Sequence, residues 1–188
     1  EKYSYSNVGY QVLGDLIERV SGMKLADFIE KKLFEPLGMH RSTVGDRLYV
    51  DKPGYANPYI RKRRKNKYRP YTYVDVYPDF FLPSRLSADG QYYSTPAELV
   101  KIRELWTTNT IFNEENRQAI VEPWRLSNDS IAGDMHAGFM MFQMGPLGHS
   151  FQMTGGNPGL HCIVFHCPDW DITFVGVQNE VIFKHRYF

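Results

Sequence analysis

The last third of the chain limits the fold most, because it consists of short strand-like segments separated by turn residues. These segments read HAGFMMFQM, HSFQMTGG, HCIVFHC and DITFVGVQN. Gly145-Pro146 and Pro168-Asp169 lie between them, and connections this short join antiparallel neighbours. The sequence therefore predicts an antiparallel sheet in this part of the chain.

Helical spacing dominates the first forty residues. From Gly9 to Val20 apolar residues recur every three or four positions, and Gly22 supplies a stop signal. A second helix is predicted from Leu25 to Leu33, before Pro36. Helices followed by a run of strands predict an α+β fold, with the helices packed on the antiparallel sheet.

A third helix is predicted to begin after Thr95. Thr95 is a good N-cap residue, Pro96 suits the first helical position, and Glu98 completes a capping box. The helix is expected to run to Thr107, and a shorter one should follow Asn113.

Length and composition indicate one domain, or one part of a larger domain. The chain has 188 residues, of which 43% are hydrophobic, and this favours a folded protein over a disordered one. It contains no run of 18 apolar residues, so no membrane span is predicted. No pattern indicates a cofactor, and none is expected.

A stretch from about 46 to 83 lacks periodicity and is interpreted as a variable loop insertion rich in basic and aromatic residues. Residues 61–69 include seven basic side chains, and such a composition can bind single-stranded nucleic acid. The net charge of the whole chain is only +1, so the remaining residues together carry about −6 and offer no broad basic face. We therefore favour a solvated loop and predict no nucleic-acid binding.

The two cysteines lie in the strand-like segment HCIVFHC, each beside a histidine. On a strand, His161 shares a face with Cys167, and Cys162 shares the other with His166, so each pair is separated by more than about 13 Å. Zinc ligands must converge within about 2.3 Å of one ion. No metal site is therefore expected, and both cysteines are predicted to be buried free thiols.

Tyr5 and Asn7 precede the first helix and form a Tyr-x-Asn tripeptide. A phenol can act as a general base only where cations lower its pKa from about 10. An asparagine two residues later can bind a substrate amide through both its donor and its acceptor. Most such tripeptides merely cap a helix, and Ser6 or Asn7 can do so here.

A second candidate stretch is Met153-Thr154-Gly155-Gly156, which continues as Asn157-Pro158-Gly159 between two predicted strands. Glycines at 155 and 156 would let a ligand approach the backbone, and a free N–H at a strand edge can bind an oxyanion. An ordinary Gly-Asn-Pro-Gly turn explains the same residues equally well.

Five segments occur in an order that is more specific than any of them alone. They are Tyr5-Ser6-Asn7-Val8-Gly9-Tyr10, Phe34-Glu35-Pro36-Leu37-Gly38-Met39, Ala88-Asp89-Gly90-Gln91-Tyr92-Tyr93-Ser94-Thr95, His136-Ala137-Gly138-Phe139, and Thr154-Gly155-Gly156-Asn157-Pro158-Gly159, with Val177-Gln178-Asn179 after them. Together they resemble the serine β-lactamase and penicillin-binding-protein family, in particular its class C β-lactamase, D-aminopeptidase and esterase branch.

The resemblance implies a chemistry and a site. Members of that family acylate a serine in a Ser-x-x-Lys box, and the lysine and the Tyr-x-Asn tyrosine move the proton. Tyr5 would then be the proton-transfer residue and Asn7 a ligand of the substrate amide. Residues 153–156 would line the opposite wall, with Thr154 and the Gly156 N–H in the oxyanion hole. The resemblance also favours a location in the bacterial periplasm or cell envelope.

Two features depart from the family pattern. In the family the Ser-x-x-Lys box precedes Tyr-x-Asn by several dozen residues. The one internal match, Ser21-Gly22-Met23-Lys24, falls at a predicted helix end and is assigned to the scaffold. Met153 stands where the family has lysine or histidine, and a thioether cannot donate a hydrogen bond.

These observations define the expected function. Residues 1–188 are interpreted as the carboxy-terminal part of a single β-lactamase-like domain, incomplete on its amino-terminal side. The parent protein would hydrolyse an amide, ester or β-lactam in a small molecule or peptide. The chain alone is predicted to be inactive, with the missing amino-terminal part as its partner. The alternative is a non-catalytic binding module that retains the cleft.

Overall fold

The structure is a computed structural model and describes most of the chain. The described residues are 4–44, 54–62, 67–70, 88–90, 92–122, 125–129, 135–136, 139–143, 148–157 and 159–181. The predicted turn at Gly145-Pro146 and much of the predicted insertion at 46–83 lie outside these residues.

Helices fill the first and middle parts of the chain, as predicted. They are α1 (Asn7–Ser21), α2 (Leu25–Ile29, continued by a π-helical turn at Glu30–Phe34), α3 (Pro96–Leu99, continued by a 3₁₀ turn at Val100–Arg103), α4 (Glu104–Thr107) and α5 (Glu114–Val121). The left-handed residue Gly22, with φ 68°, ends α1 and donates its N–H to the Glu18 carbonyl. Asn113 caps α5 through a bond from the Asn116 N–H.

An antiparallel sheet of five described strands occupies the last third. Its strands are β5 (Met135–His136), β6 (Phe139–Gln143), β7 (His149–Asn157), β8 (Leu160–Cys167) and β9 (Ile172–Gln178), in the spatial order β5-β6-β7-β8-β9. Each strand pairs antiparallel with its sequence neighbour. A 3₁₀ turn at Pro168–Trp170 joins β8 to β9. The predicted α+β fold is therefore confirmed.

Shorter strands connect other parts of the chain. They are β1 (Thr43–Val44), β2 (Tyr59–Lys62), β3 (Lys67–Pro70), β4 (Tyr92–Tyr93) and β10 (Glu180–Val181). β1 pairs antiparallel with β4, and β2 pairs antiparallel with β3 and parallel with β10. The interpretation of 46–83 as a loop is thus wrong for β2 and β3. Backbone pairing with β10 supplies order there that side-chain periodicity did not reveal.

The core lies between the helices and one face of the sheet. Its buried apolar side chains are Phe34, Leu37, Met39, Ile102, Trp106 and Phe151. Trp106 of α4 stacks on Phe151 of β7, so the two layers meet through aromatic rings. In the part of the chain that the structure describes, no helix is long and apolar enough to cross a membrane.

Candidate active site

Tyr5 and Asn7 lie at the exposed start of α1. Ser6 is the N-cap, and its Oγ accepts a hydrogen bond from the Gly9 N–H at 3.0 Å. Ser6 thus performs the capping, which leaves its two neighbours outside that role. The Tyr5 side chain is 66% exposed, and Asn7 is also exposed. Both polar groups are accessible to a substrate approaching the start of the helix.

One face of α1 is apolar and open to solvent. Its residues Val8, Val12, Leu13, Leu16 and Val20 are all at least half exposed. They follow helical spacing and form one continuous stripe that begins beside Tyr5. A stripe of this kind normally faces a protein core. Sequence periodicity found this stripe but did not indicate that it would be uncovered.

The opposite side of α1 packs closely through a glycine. Gly14 is buried, and a Cβ at this position would lie 2.5 Å from the Ala88 Cβ and 3.3 Å from Leu25 Cδ2. The helix therefore approaches Ala88 and α2 at a distance that only glycine allows. This contact lies on the side of α1 opposite the exposed stripe, so the stripe faces away from Ala88 and α2.

Ser21, the one serine followed three residues later by lysine, is engaged at the end of α1. Its hydroxyl donates to the Ile17 carbonyl at 2.6 Å and accepts from the Met23 N–H at 3.1 Å. Lys24 lies 3.9 Å from Glu18. The hydroxyl therefore stabilises the helix end, in line with its assignment to the scaffold.

Met153, Thr154, Gly155 and Gly156 lie on the second half of β7 and are all exposed. β8 pairs with this half through Met153↔Val164 to Asn157↔Leu160. On the other edge, β6 pairs only from His149 to Gln152. Among the described strands, none pairs with that edge of 153–157.

The two glycines of this stretch also have a packing role. A Cβ at Gly156 would lie 2.7 Å from His161 Nδ1, and a Cβ at Gly155 would lie 3.2 Å from Cys162 Sγ. A Cβ at either position would therefore have to displace the neighbouring side chain of β8. The alternative of a Gly-Asn-Pro-Gly turn concerns residues 156–159, and the structure divides them. Gly156 and Asn157 lie in β7, whereas Gly159 lies in the turn before β8, and Asn157 pairs with Leu160 across it.

Glu98 is a buried carboxylate whose contacts the sequence did not predict. Its N–H donates to Thr95 Oγ1, which is the first half of the predicted capping box. The second half does not form, because the carboxylate accepts from the Arg41 N–H at 2.8 Å and from Ser42 Oγ at 2.7 Å. Burial raises the pKa of Glu98, but these two bonds and the charges of Lys101 and His40 outweigh it and lower the pKa.

The cysteine segment behaves partly as predicted. Cys167 is buried, whereas Cys162 is only half-buried, so the expectation of two buried thiols is wrong for Cys162. Burial raises the Cys162 pKa, and the Gly155 N–H partly offsets this, so the thiol is not activated as a nucleophile. In the described residues, no three His, Cys, Asp or Glu side chains converge as metal ligands.

Comparison with known proteins now assigns the chain to a family. The family model described as Beta-lactamase matches residues 1–185. The chain belongs to the beta-lactamase family. This match covers both halves of the site described above, the start of α1 and the second half of β7, and it agrees with the resemblance found in the sequence.

Individual relatives agree with this assignment. Penicillin-binding protein 4* of Bacillus subtilis is 25% identical over 189 residues, covering 96% of this chain and 40% of that protein. A penicillin-binding protein from Bacillus halodurans superposes with a TM-score of 0.75 at 22% identity, covering 97% of this chain and 52% of the other. A D-stereospecific amidohydrolase from Streptomyces superposes with a TM-score of 0.74 at 18% identity, covering 95% of this chain and 51% of the other.

The family is therefore that of the β-lactamase-like serine hydrolases, which includes penicillin-binding proteins and D-amino-acid amidohydrolases. The two structures show the same fold as this chain. The chain spans about half of each of them and 40% of the Bacillus subtilis protein.

Proposed function

We propose that these 188 residues form part of the active site of an acyl-serine hydrolase. Tyr5 transfers the proton, and Asn7 binds the substrate amide. Thr154 and the Gly156 N–H contribute to the oxyanion hole, while Met153 and Gly155 complete that wall. The nucleophilic serine and its lysine come from polypeptide outside the 188 residues.

The apolar stripe of α1 carries this proposal. Burial of apolar area is the main driving force of folding, at about 25 cal/mol per Å². Five exposed aliphatic side chains on one helix are costly unless another surface covers them. The stripe begins beside Tyr5, so whatever covers it also lies beside Tyr5. A helix carrying Ser-x-x-Lys would meet both needs, because it would bury the stripe and place its serine near the phenol.

The open edge of β7 supports a peptide-like substrate. An extended substrate can pair as an added strand with the edge of 153–157 that none of the described strands occupies. This pairing holds a scissile amide, ester or lactam carbonyl against the Gly156 N–H. Thr154 is exposed on the same half of the strand, so its hydroxyl can also donate to a substrate.

Covalent labelling tests the proposal. The complete gene product that contains these residues is incubated with a fluorophosphonate, and intact mass reports the adduct, with the 188-residue chain treated in parallel. We expect one adduct on a serine outside residues 1–188 and none on the shorter chain. Tyr5→Phe should slow labelling about 10²–10⁴-fold, the usual contribution of a general base. Tyr10→Phe, on the same helix, is the matched control.

A second candidate is a binding module that keeps the cleft without the chemistry. Met153 favours it, because an exposed thioether replaces a cationic side chain at the cleft wall. A complete gene product that binds a β-lactam reversibly but gives no serine adduct would support this candidate over the hydrolase. An adduct on Ser21, or labelling unaffected by Tyr5→Phe, would contradict the residue assignments.

A further inference from the structure

His161 lies beside Gly156, the residue whose N–H is proposed for the oxyanion hole. The two residues are partners in the antiparallel pair of β7 and β8. A Cβ at Gly156 would lie 2.7 Å from His161 Nδ1 and 3.3 Å from His161 Cε1. The imidazole ring therefore occupies the space above Gly156 that a side chain would fill. The proposed function gives this histidine no role.

The ring lies on the face of the sheet that points away from the helices. Phe151, earlier on β7, stacks on Trp106 of α4 and so faces the helices. Gly156 is an odd number of residues after Phe151 on a continuous strand, and this places it on the opposite face. Directly paired residues of an antiparallel sheet share a face, so the His161 side chain projects on the same side as Gly156.

The imidazole has a hydrogen-bond donor that its neighbours do not use. His161 is exposed and forms no hydrogen bond with any other residue that the structure describes. An imidazole carries an N–H donor in both its neutral and its protonated state. Farther along this face the side chains are apolar, since a Cβ at Gly176 would lie 3.0 Å from Ile163 and 3.2 Å from Phe174. The donor of His161 is therefore available to a ligand.

A substrate that pairs along the outer edge of β7 comes within reach of this ring. Where an antiparallel partner accepts a hydrogen bond from the Gly156 N–H, the accepting residue is the one directly opposite Gly156. Its side chain points to the same face, with its Cβ about 4.5–5.5 Å from the position of a Cβ at Gly156. The imidazole lies at that position from the β8 side. Because Gly156 has no side chain, it does not separate the ring from the substrate.

The donor on the ring favours an acidic substrate group. A hydrogen bond from an N–H to a carboxylate is shorter and stronger than one to a neutral oxygen, and a protonated imidazole adds its own charge. The carboxylate of an aspartate-like or glutamate-like side chain projects beyond its Cβ and can meet the ring above Gly156. The residue that carries this side chain is the one whose carbonyl lies against the Gly156 N–H, which is the acyl residue.

We propose that His161 determines substrate specificity by binding a carboxylate on the side chain of the acyl residue. This role rests on the proposed function, and it narrows the substrate class to acyl compounds with an acidic side chain on the residue that supplies the scissile carbonyl. His161 takes no part in proton transfer, so it affects Kd and KM more than kcat. Carboxylate binding needs neither Tyr5 nor a serine nucleophile, so it can be measured apart from catalysis.

Two pairs of peptides test the proposal on the complete gene product that contains these residues. Acetyl-Ala-Glu p-nitroanilide and its Gln analogue report kcat and KM, and the peptide amides acetyl-Ala-Glu-Ala-NH₂ and acetyl-Ala-Gln-Ala-NH₂ report Kd by calorimetry, with the Glu or Gln position in both enantiomers. For one enantiomer we expect Glu to be preferred about five- to tenfold in Kd and in KM, since the hydrogen bond to a charged group is exposed and weaker than a buried one.

Three variants separate the donor from the shape of the ring. His161→Phe keeps a ring above Gly156 without an N–H, and it should reduce the Glu to Gln preference to about one. His161→Gln retains a donor and should keep part of the preference. His149→Phe is the matched control, because His149 is an exposed histidine at the start of β7, and it should keep the full preference.

Three results would overturn the role of His161: no preference for Glu in either enantiomer, a preference that persists in His161→Phe, or an equal loss in His149→Phe. Weaker binding of both peptides in His161→Phe at an unchanged ratio would also refute it, because the ring would then act through packing alone. A Glu preference in Kd that depends on His161, without release of p-nitroaniline, would refute the hydrolase function alone. Turnover of the Glu and Gln substrates at equal KM would refute the role of His161 alone.

Discussion

Trp106 and Phe151 stack with their ring centroids 5.0 Å apart and their planes 9° from parallel. Trp106 is on α4 and Phe151 on β7, so this one contact joins the helical layer to the strand that also carries Thr154 and Gly156. His166 lies opposite Phe151 on the neighbouring strand β8. Its ring also stacks on Trp106, with the ring centroids 6.3 Å apart. The position of the candidate site relative to the helices therefore depends on this aromatic cluster.

Phe151→Ala should destabilise the chain by about 3–5 kcal/mol, the usual cost of removing a buried aromatic ring. The loss has two parts, the transfer of the ring from water and the cavity left beside Trp106. Urea unfolding followed by circular dichroism measures it. Phe174→Ala is the matched control, because Phe174 is 57% exposed on β9 and should cost less than about 1 kcal/mol. Equal losses in the two variants would contradict the assignment of the core.

Gly14 and Gly9 form a pair for testing the close approach of α1. A Cβ at Gly14 would lie 2.5 Å from the Ala88 Cβ, whereas a Cβ at Gly9 would meet only Ser6, at 3.6 Å. Gly14→Ala should therefore destabilise the chain by about 1–3 kcal/mol through overpacking. Gly9→Ala should be neutral or should stabilise it by up to about 1 kcal/mol, because alanine is the better helix former. Thermal unfolding of both variants gives the comparison, and stabilisation by Gly14→Ala would be inconsistent with this packing.

The sequence predicted those parts of the fold that depend on local patterns. Residues 96–107 and 114–121 are helical because capping residues and apolar spacing agree, and β7 to β9 follow from apolar runs separated by short turns. The Gly-Asn-Pro-Gly residues at 156–159 divide between strand and turn, because Gly156 and Asn157 belong to β7 and Gly159 lies in the turn before β8. The pairing of β2 with β10 joins residues about 120 positions apart, and no local pattern encodes such a contact.

The candidate site was predicted in the same uneven way. The Tyr-x-Asn tripeptide and the Thr-Gly-Gly stretch are short enough to be recognised in sequence, and the family assignment covers both. Glu98 was predicted as half of a capping box, since its partners Arg41 and Ser42 lie more than 50 residues away.

Glu98 should make stability fall in acid. Its pKa in the folded chain is lowered below the usual 4.5, so the unfolded chain binds the proton more tightly. Stability from this group is therefore fully present above pH 4.5 and is lost as the pH falls through the lower folded pKa. Glu98→Gln should reduce stability at pH 7 by about 1–3 kcal/mol, because it weakens the buried bonds to Arg41 and Ser42. It should also flatten the stability profile below pH 4.5, whereas the exposed-site variant Glu115→Gln should keep the wild-type profile.

His166 should produce a second loss of stability, at higher pH. Its side chain is fully buried, with Nδ1 3.0 Å from Thr173 Oγ1. Burial and then the charge of Arg103 lower the His166 pKa, and they outweigh Asp171 and the Ile172 backbone, which raise it. The folded chain thus favours neutral imidazole, while the unfolded chain takes up a proton near pH 6.5. The contribution of His166 to the free energy of unfolding is therefore fully present above this pH and declines as the pH falls through it.

His166→Phe tests the assignment, because it keeps a ring against Trp106 and removes the titrating group. The free energy of unfolding is measured by urea titration at half-unit steps from pH 8 to pH 5. We expect the wild-type slope between pH 7 and pH 5 to flatten in His166→Phe, even if the variant is less stable at pH 8 through loss of the Thr173 bond. His149→Gln changes an exposed histidine and should retain the slope. If the slope persisted in His166→Phe and disappeared in His149→Gln, the titrating group would be His149, and the assignment to His166 would be wrong.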